Sequence, residues 1–101
     1  MKRDKAYYSK KQIRNLILAG NVQITEQARM SAQGDFGWDF DDICNAILAL
    51  PTKACYKSET RFNNPQIWVD YYRVRSLKGE KVYTHFYVDN DNLIIDSFKE
   101  I

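Results

Sequence analysis

Residues 66–89 read QIWVDYYRVRSLKGEKVYTHFYVD, and the reading of this stretch decides the fold. It consists of two runs dense in Val, Thr, Tyr, Phe and Trp, residue types that suit a pleated, half-buried surface. Between them stands Lys78-Gly79-Glu80, whose glycine supplies the positive φ of a tight hairpin turn. A similar run from Lys53 to Phe62 precedes the stretch and closes on Asn63-Asn64-Pro65; another, from Asn92 to Lys99, follows Asn90-Asp91. Strands over 53–62, 66–77, 81–89 and 92–99, joined by short turns, predict an antiparallel meander.

Upstream of residue 53 the period changes from strand to helix. Ser9 suits an N-cap and Gly20 a position just past a helix end; between them Ile13, Leu16 and Ile17 form one apolar stripe, with Lys10, Lys11 and Arg14 on the other faces. Val22 and Ile24 alternate with polar neighbours, as in a very short strand. Thr25 can cap a second helix running through Ala28 and Ala32 and ending at Gly34. Asp39 opens a third, in which Phe40, Ile43, Cys44, Ile47 and Leu48 make a buried stripe and Pro51 sets the stop. Capping and the helix dipole account for Asp39, Asp41 and Asp42 more simply than metal ligation does. Helices followed by a meander predict an α+β fold, with N-terminal helices packed on one face of an antiparallel β-sheet.

A chain of 101 residues is the size of one domain, expected over 1–101, and 45% hydrophobic with 28% charged residues is globular usage rather than disorder. No apolar run approaches the ~20 residues of a membrane span, and no apolar region follows the basic Met1–Lys5, so a cytoplasmic protein without membrane contact is the expectation. Cys44 and Cys55 are then expected as buried, reduced thiols. The net charge of +2 neither demands nor excludes a nucleic-acid partner; the placement of the charge matters more.

Strand alternation sorts residues by face. In the run 81–89, Val82, Thr84, Phe86 and Val88 form the more apolar side and should meet the helices, leaving Tyr83, His85 and Tyr87 outward. In the run 53–62, Cys55, Lys57, Glu59 and Arg61 share one side and are placed beside them. For 66–77 and 92–99 the orientation stays open, since one bulge inverts parity, although Lys99 should reach solvent either way. An open sheet face bearing Lys, Arg and Tyr suits a single-stranded nucleic acid, because cations meet phosphates and rings stack on bases.

Several strings then carry a resemblance: Asp39-Phe40-Asp41 followed by Cys44-Asn45, Tyr56-Lys57-Ser58, Ile67-Trp68, Tyr72-Arg73, Val82-Tyr83 and the closing Ser97-Phe98-Lys99-Glu100. In order and spacing the chain resembles the motility quorum-sensing regulator (MqsR) family of toxins along nearly its whole length. The resemblance implies a RelE-like toxin fold and a metal-independent mRNA interferase that needs no cofactor and prefers short GC-containing sequences. It also implies a cognate antitoxin with zinc-binding and helix-turn-helix domains, through which alone DNA would be reached. The family's implicated lysine falls on Lys57, its tyrosine on Tyr83, its C-terminal lysine on Lys99 and its arginine on Arg73. Two positions depart from the family pattern: Val69 stands where it has glutamine, and the second residue after Lys57 is changed to Glu59.

Metal-free RNA cleavage uses the 2′-OH as nucleophile and needs a base, charge stabilisation on the phosphorane and an acid for the 5′-oxygen. Lys57, Tyr83 and Lys99 are the catalytic candidates: the lysines neutralise phosphate, a lysine crowded by cations can titrate low enough to serve as base, and Tyr83 can donate a proton. Tyr56, Arg73, Glu59 and His85 are the substrate-binding candidates. Arg73 can clamp phosphate, Glu59 is a second candidate base, and His85, the only histidine, a candidate acid. The alternative is a non-catalytic RNA- or protein-binding toxin of related fold.

Overall fold

The computed structural model describes residues 1–101. Its elements are β1 (Lys2–Arg3), α1 (Lys10–Leu18), β2 (Val22–Ile24), α2 (Glu26–Phe36), α3 (Phe40–Leu48), a single 3₁₀ turn at Thr52–Ala54, β3 (Cys55–Arg61), β4 (Asn64–Leu77), β5 (Glu80–Asp89) and β6 (Asn92–Glu100). The sheet order is β1-β3-β4-β5-β6-β2. The expected meander β3-β4-β5-β6 is its centre. β1 adds antiparallel at one edge, and β2 adds parallel to β6 at the other, so the sheet is mixed rather than purely antiparallel. The two-residue β1 is too short to leave a periodic signal.

Local chemistry explains the boundaries. Lys78 and Gly79 have φ of 51° and 84°, and Asn90 and Asp91 have φ of 52° and 62°. Two consecutive positive φ values make the hairpin turn whose twist matches the flanking strands. Asp39 and Asp42 satisfy each other's backbone N–H groups at 2.9 and 3.0 Å, a capping box on α3. α2 does not stop at Gly34, as expected, but runs to Phe36 and ends on Gly37 in the left-handed conformation. The reason is packing: the Phe36 ring meets Trp38 and Phe98, which holds the last turn in place.

The core lies between the helices and one sheet face. Ile43, Ala46 and Ile47 of α3, Ala28 and Ala32 of α2 and Ile13 of α1 are buried in one cluster with Val82, Phe86, Leu93, Ile95 and Phe98. Asp70 is fully buried and accepts hydrogen bonds from the backbone N–H groups of Tyr7 (2.9 Å) and Tyr8 (3.1 Å). Those bonds lay the N-terminal segment along the sheet. The Tyr8 hydroxyl then bridges β4 and β5, donating to the Trp68 carbonyl at 2.6 Å and accepting from the Val88 N–H at 3.1 Å. Cys44 and Cys55 are buried free thiols, as expected, with pKa pushed up to about 11 chiefly by burial.

Candidate active site

Helices cover one face of the meander and leave the other open. Register places the side chains on that open face in rows, because residues paired across neighbouring strands share a side. Lys57 pairs with Tyr71, Tyr71 with His85 and His85 with Ser97, forming one row from β3 to β6. The next row holds Arg73, Tyr83 and Lys99. On the other side of the first row lie Glu59, Val69, Tyr87 and Ile94. The orientation left open for 66–77 is thereby settled: Tyr71 and Arg73 face outward, while Asp70, Tyr72 and Val74 are buried.

Two bulges correct the simple parity. The register slips between Cys55 and Lys57, so Cys55 pairs with Tyr72 and joins the core instead of sharing a side with Lys57. Tyr56 moves to the open face, where Arg73 lies over its ring at 4.8 Å. A second slip, opposite His85 and Phe86, makes Asp96 the extra residue of β6 and brings its carboxylate to the His85 ring. The spacing of buried Leu93, Ile95 and Phe98 records this slip, since strict alternation would bury residue 97. Tyr87 lies in the expected row but is buried, with Arg61 over its ring at 4.3 Å.

Cations and rings alternate across this face. Lys57 sits 4.5 Å from the centre of the Tyr71 ring, and Lys99 sits 5.5 Å from that of Tyr83. Each ring has a cation over it, an alternation of charge and aromatic surface suited to a phosphate chain flanked by bases. An open cleft of about 610 Å³ is lined by Tyr56, Arg73, Tyr83, His85, Asp96 and Lys99, among others. A second, of about 540 Å³, is lined by Glu59, Arg61, Phe62, Val69 and Tyr71, and His85 and Asp96 line it as well. All seven candidate residues thus lie on one face, with His85 and Asp96 where the two clefts meet.

Electrostatics separates their roles. Lys57 forms an ion pair with Glu59 at 3.0 Å, which holds the lysine above its usual pKa and the glutamate below its own. Lys57 is therefore a fixed cation, and the expectation of a lysine titrating low enough to act as base fails for it. Glu59 is ionised but a weakened base. Tyr83 is pushed up to about 12, first by burial and then by the neighbouring Tyr56 and Tyr71 phenols, so it is a neutral phenol near pH 7. Its hydroxyl lies 2.7 Å from His85 Nδ1. His85 itself is held below its ordinary pKa, chiefly by burial, although Asp96 pulls in the other direction. Sequence reasoning missed Tyr71 and Asp96, the first because the orientation of its strand was open, the second because of the bulge.

The family described as motility quorum-sensing regulator, toxin of MqsA, matches residues 5–100. The mRNA interferase toxin MqsR of Escherichia coli (strain K12) is 42% identical over 89 residues, covering 88% of this chain and 88% of its own. The chain belongs to the motility quorum-sensing regulator family of toxins.

Proposed function

We propose that this chain is the toxin of a toxin–antitoxin pair and cuts messenger RNA on the open sheet face. The observation that carries the reading is the set of cation–ring pairs, Lys57–Tyr71, Arg73–Tyr56 and Lys99–Tyr83, on a single helix-free surface. In this reading RNA lies along the two clefts, with its backbone against the cations and its bases against the rings. Strands lie ~4.8 Å apart. Lys99 is one strand from Tyr83 and Lys57 two strands and one row away, so the two amines serve different phosphates. Lys99 stabilises the phosphorane beside Tyr83, Lys57 and Arg73 hold flanking phosphates, and Tyr56 stacks on a base.

Val69 supports an apolar rather than a hydrogen-bonding contact at its position, since it is buried on the floor of the second cleft. Family membership implies an antitoxin partner; that this partner carries zinc-binding and helix-turn-helix domains belongs to the same proposal, as does a cytoplasmic site of action. No helix is long and apolar enough to cross a membrane.

Incubation of purified protein with unstructured RNA in EDTA tests the activity. The expected products carry 2′,3′-cyclic phosphate and 5′-hydroxyl ends, the outcome of 2′-OH attack, and Tyr83→Phe reduces their yield without altering the fold. Salt-sensitive binding with the RNA recovered intact would contradict cleavage and favour a binding toxin.

A further inference from the structure

The proposed cleavage leaves one requirement unmet. Something must take the proton from the 2′-OH, and the candidate groups are poor bases: Lys57 and Glu59 neutralise each other at 3.0 Å two strands away, and Tyr83, beside the phosphorane, is a neutral phenol. The neighbours of Tyr83 supply the missing part. Its hydroxyl is 2.7 Å from His85 Nδ1, and the far nitrogen of that ring, Nε2, is 3.5 Å from Asp96 Oδ2. The carboxylate favours a proton on Nε2, which leaves Nδ1 unprotonated and able to accept the Tyr83 O–H. The phenol oxygen then turns its lone pairs away from His85, toward the cleft that Tyr83 lines.

We infer that Asp96, His85 and Tyr83 form a proton relay in which Tyr83 is the catalytic group touching RNA and His85 and Asp96 are positioning residues acting through it. This rests on the ribonuclease reading above and adds to it the path of the proton. As the 2′-oxygen bonds to phosphorus, its proton passes to the Tyr83 oxygen. The Tyr83 proton passes to His85 Nδ1 in the same step, so the phenol stays neutral. The 5′-oxygen leaves with the P–O electron pair and takes a proton from the Lys99 ammonium or from water. His85 ends as an imidazolium beside Asp96; returning its proton through Tyr83 to solvent, and regaining from solvent any proton that Lys99 gave up, restores the site. A phenol too weakly acidic to ionise can act as base by this exchange alone, because it never carries charge.

The surroundings set the pH dependence. Tyr56, Glu59 and Arg61 from β3, Tyr71 and Arg73 from β4, Tyr83 from β5 and Asp96, Lys99 and Glu100 from β6 line the clefts that meet at the ring, on which burial, Lys99 and Lys57 oppose the imidazolium and Asp96 supports it. Cleavage is therefore expected to fail on the acid side, where His85 is already protonated. His85→Gln keeps an acceptor for the Tyr83 hydroxyl but cannot take its proton. Asp96→Asn removes the support for the imidazolium.

The test is a pH–rate profile for wild type, H85Q and D96N, with RNA affinity and near-UV circular dichroism measured alongside. The relay predicts for H85Q a fall in kcat of about a hundredfold, the scale of a lost general base, with KM nearly unchanged and the acid limb abolished. For D96N it predicts a lower plateau and an acid limb moved to lower pH. Added imidazole should restore part of the activity of His85→Gly. Folded H85Q that cuts at the wild-type rate with an unchanged acid limb would overturn the relay and leave the ribonuclease reading standing. Wild-type protein that binds RNA and never cuts it would overturn both.

Discussion

Lys57 and Lys99 carry the same charge on the same face, yet their settings differ, and the proposed cleavage would use them differently. Lys57 is held by Glu59 and the Tyr71 ring, while Lys99 is exposed at the end of β6 beside Tyr83. Lys99→Ala is expected to lower kcat by about a hundredfold, as loss of a group that stabilises transition-state charge does. Lys57→Ala is expected to raise KM by about tenfold with a smaller change in kcat, the signature of a ground-state contact to a flanking phosphate. Single-turnover rates and RNA affinities for both variants check this. His85 adds a stability effect. Its folded pKa lies below the ordinary 6.5, so the unfolded chain binds the proton more readily. Its contribution to stability is present above pH 6.5 and is lost as pH falls from there through the folded value. Urea titrations should show this slope in wild type and not in His85→Gln.

At the scale of the element, the molecule depends on a few polar groups that hold strands to their neighbours. Asp70 binds the N-terminal segment from the middle of β4, and Asp70→Ala would leave the Tyr7 and Tyr8 N–H groups without their acceptor. The expected cost is about 3 kcal/mol, the upper range for orphaning buried donors, read as a lowered urea midpoint. Asp39→Ala should cost about 1 kcal/mol through loss of the α3 cap. The elements were largely legible in the sequence because their signals are local: positive-φ residues at Lys78-Gly79 and Asn90-Asp91, alternation in β5, and caps at Ser9, Thr25 and Asp39. The end of α2 was not, because it is set by Phe36 meeting Phe98, a contact between residues far apart in the chain. The outward placement of Tyr56 and Asp96 was hidden for a related reason. A bulge is a property of two strands in register, and one strand alone does not reveal it.

For the molecule as a whole, a net charge of +2 understates its fitness for RNA, because the sheet divides the chain into a helix-covered face and an open face on which cations meet rings. If Lys57, Arg73 and Lys99 each neutralise one phosphate, log affinity should fall with log salt at a slope of roughly −2 for single-stranded RNA. Removing any one of the three should flatten that slope by about 0.7. The claim beneath all of these expectations is that RNA lies on the open face. Backbone amide shifts, mapped during titration with an RNA that is 2′-O-methylated throughout and so lacks the attacking hydroxyl, test it most directly. The account predicts shifts concentrated on Tyr56, Lys57, Tyr71, Arg73, Tyr83, His85 and Lys99, with α1 and α3 silent; shifts centred on α1 and α3, with those residues unmoved, would contradict it.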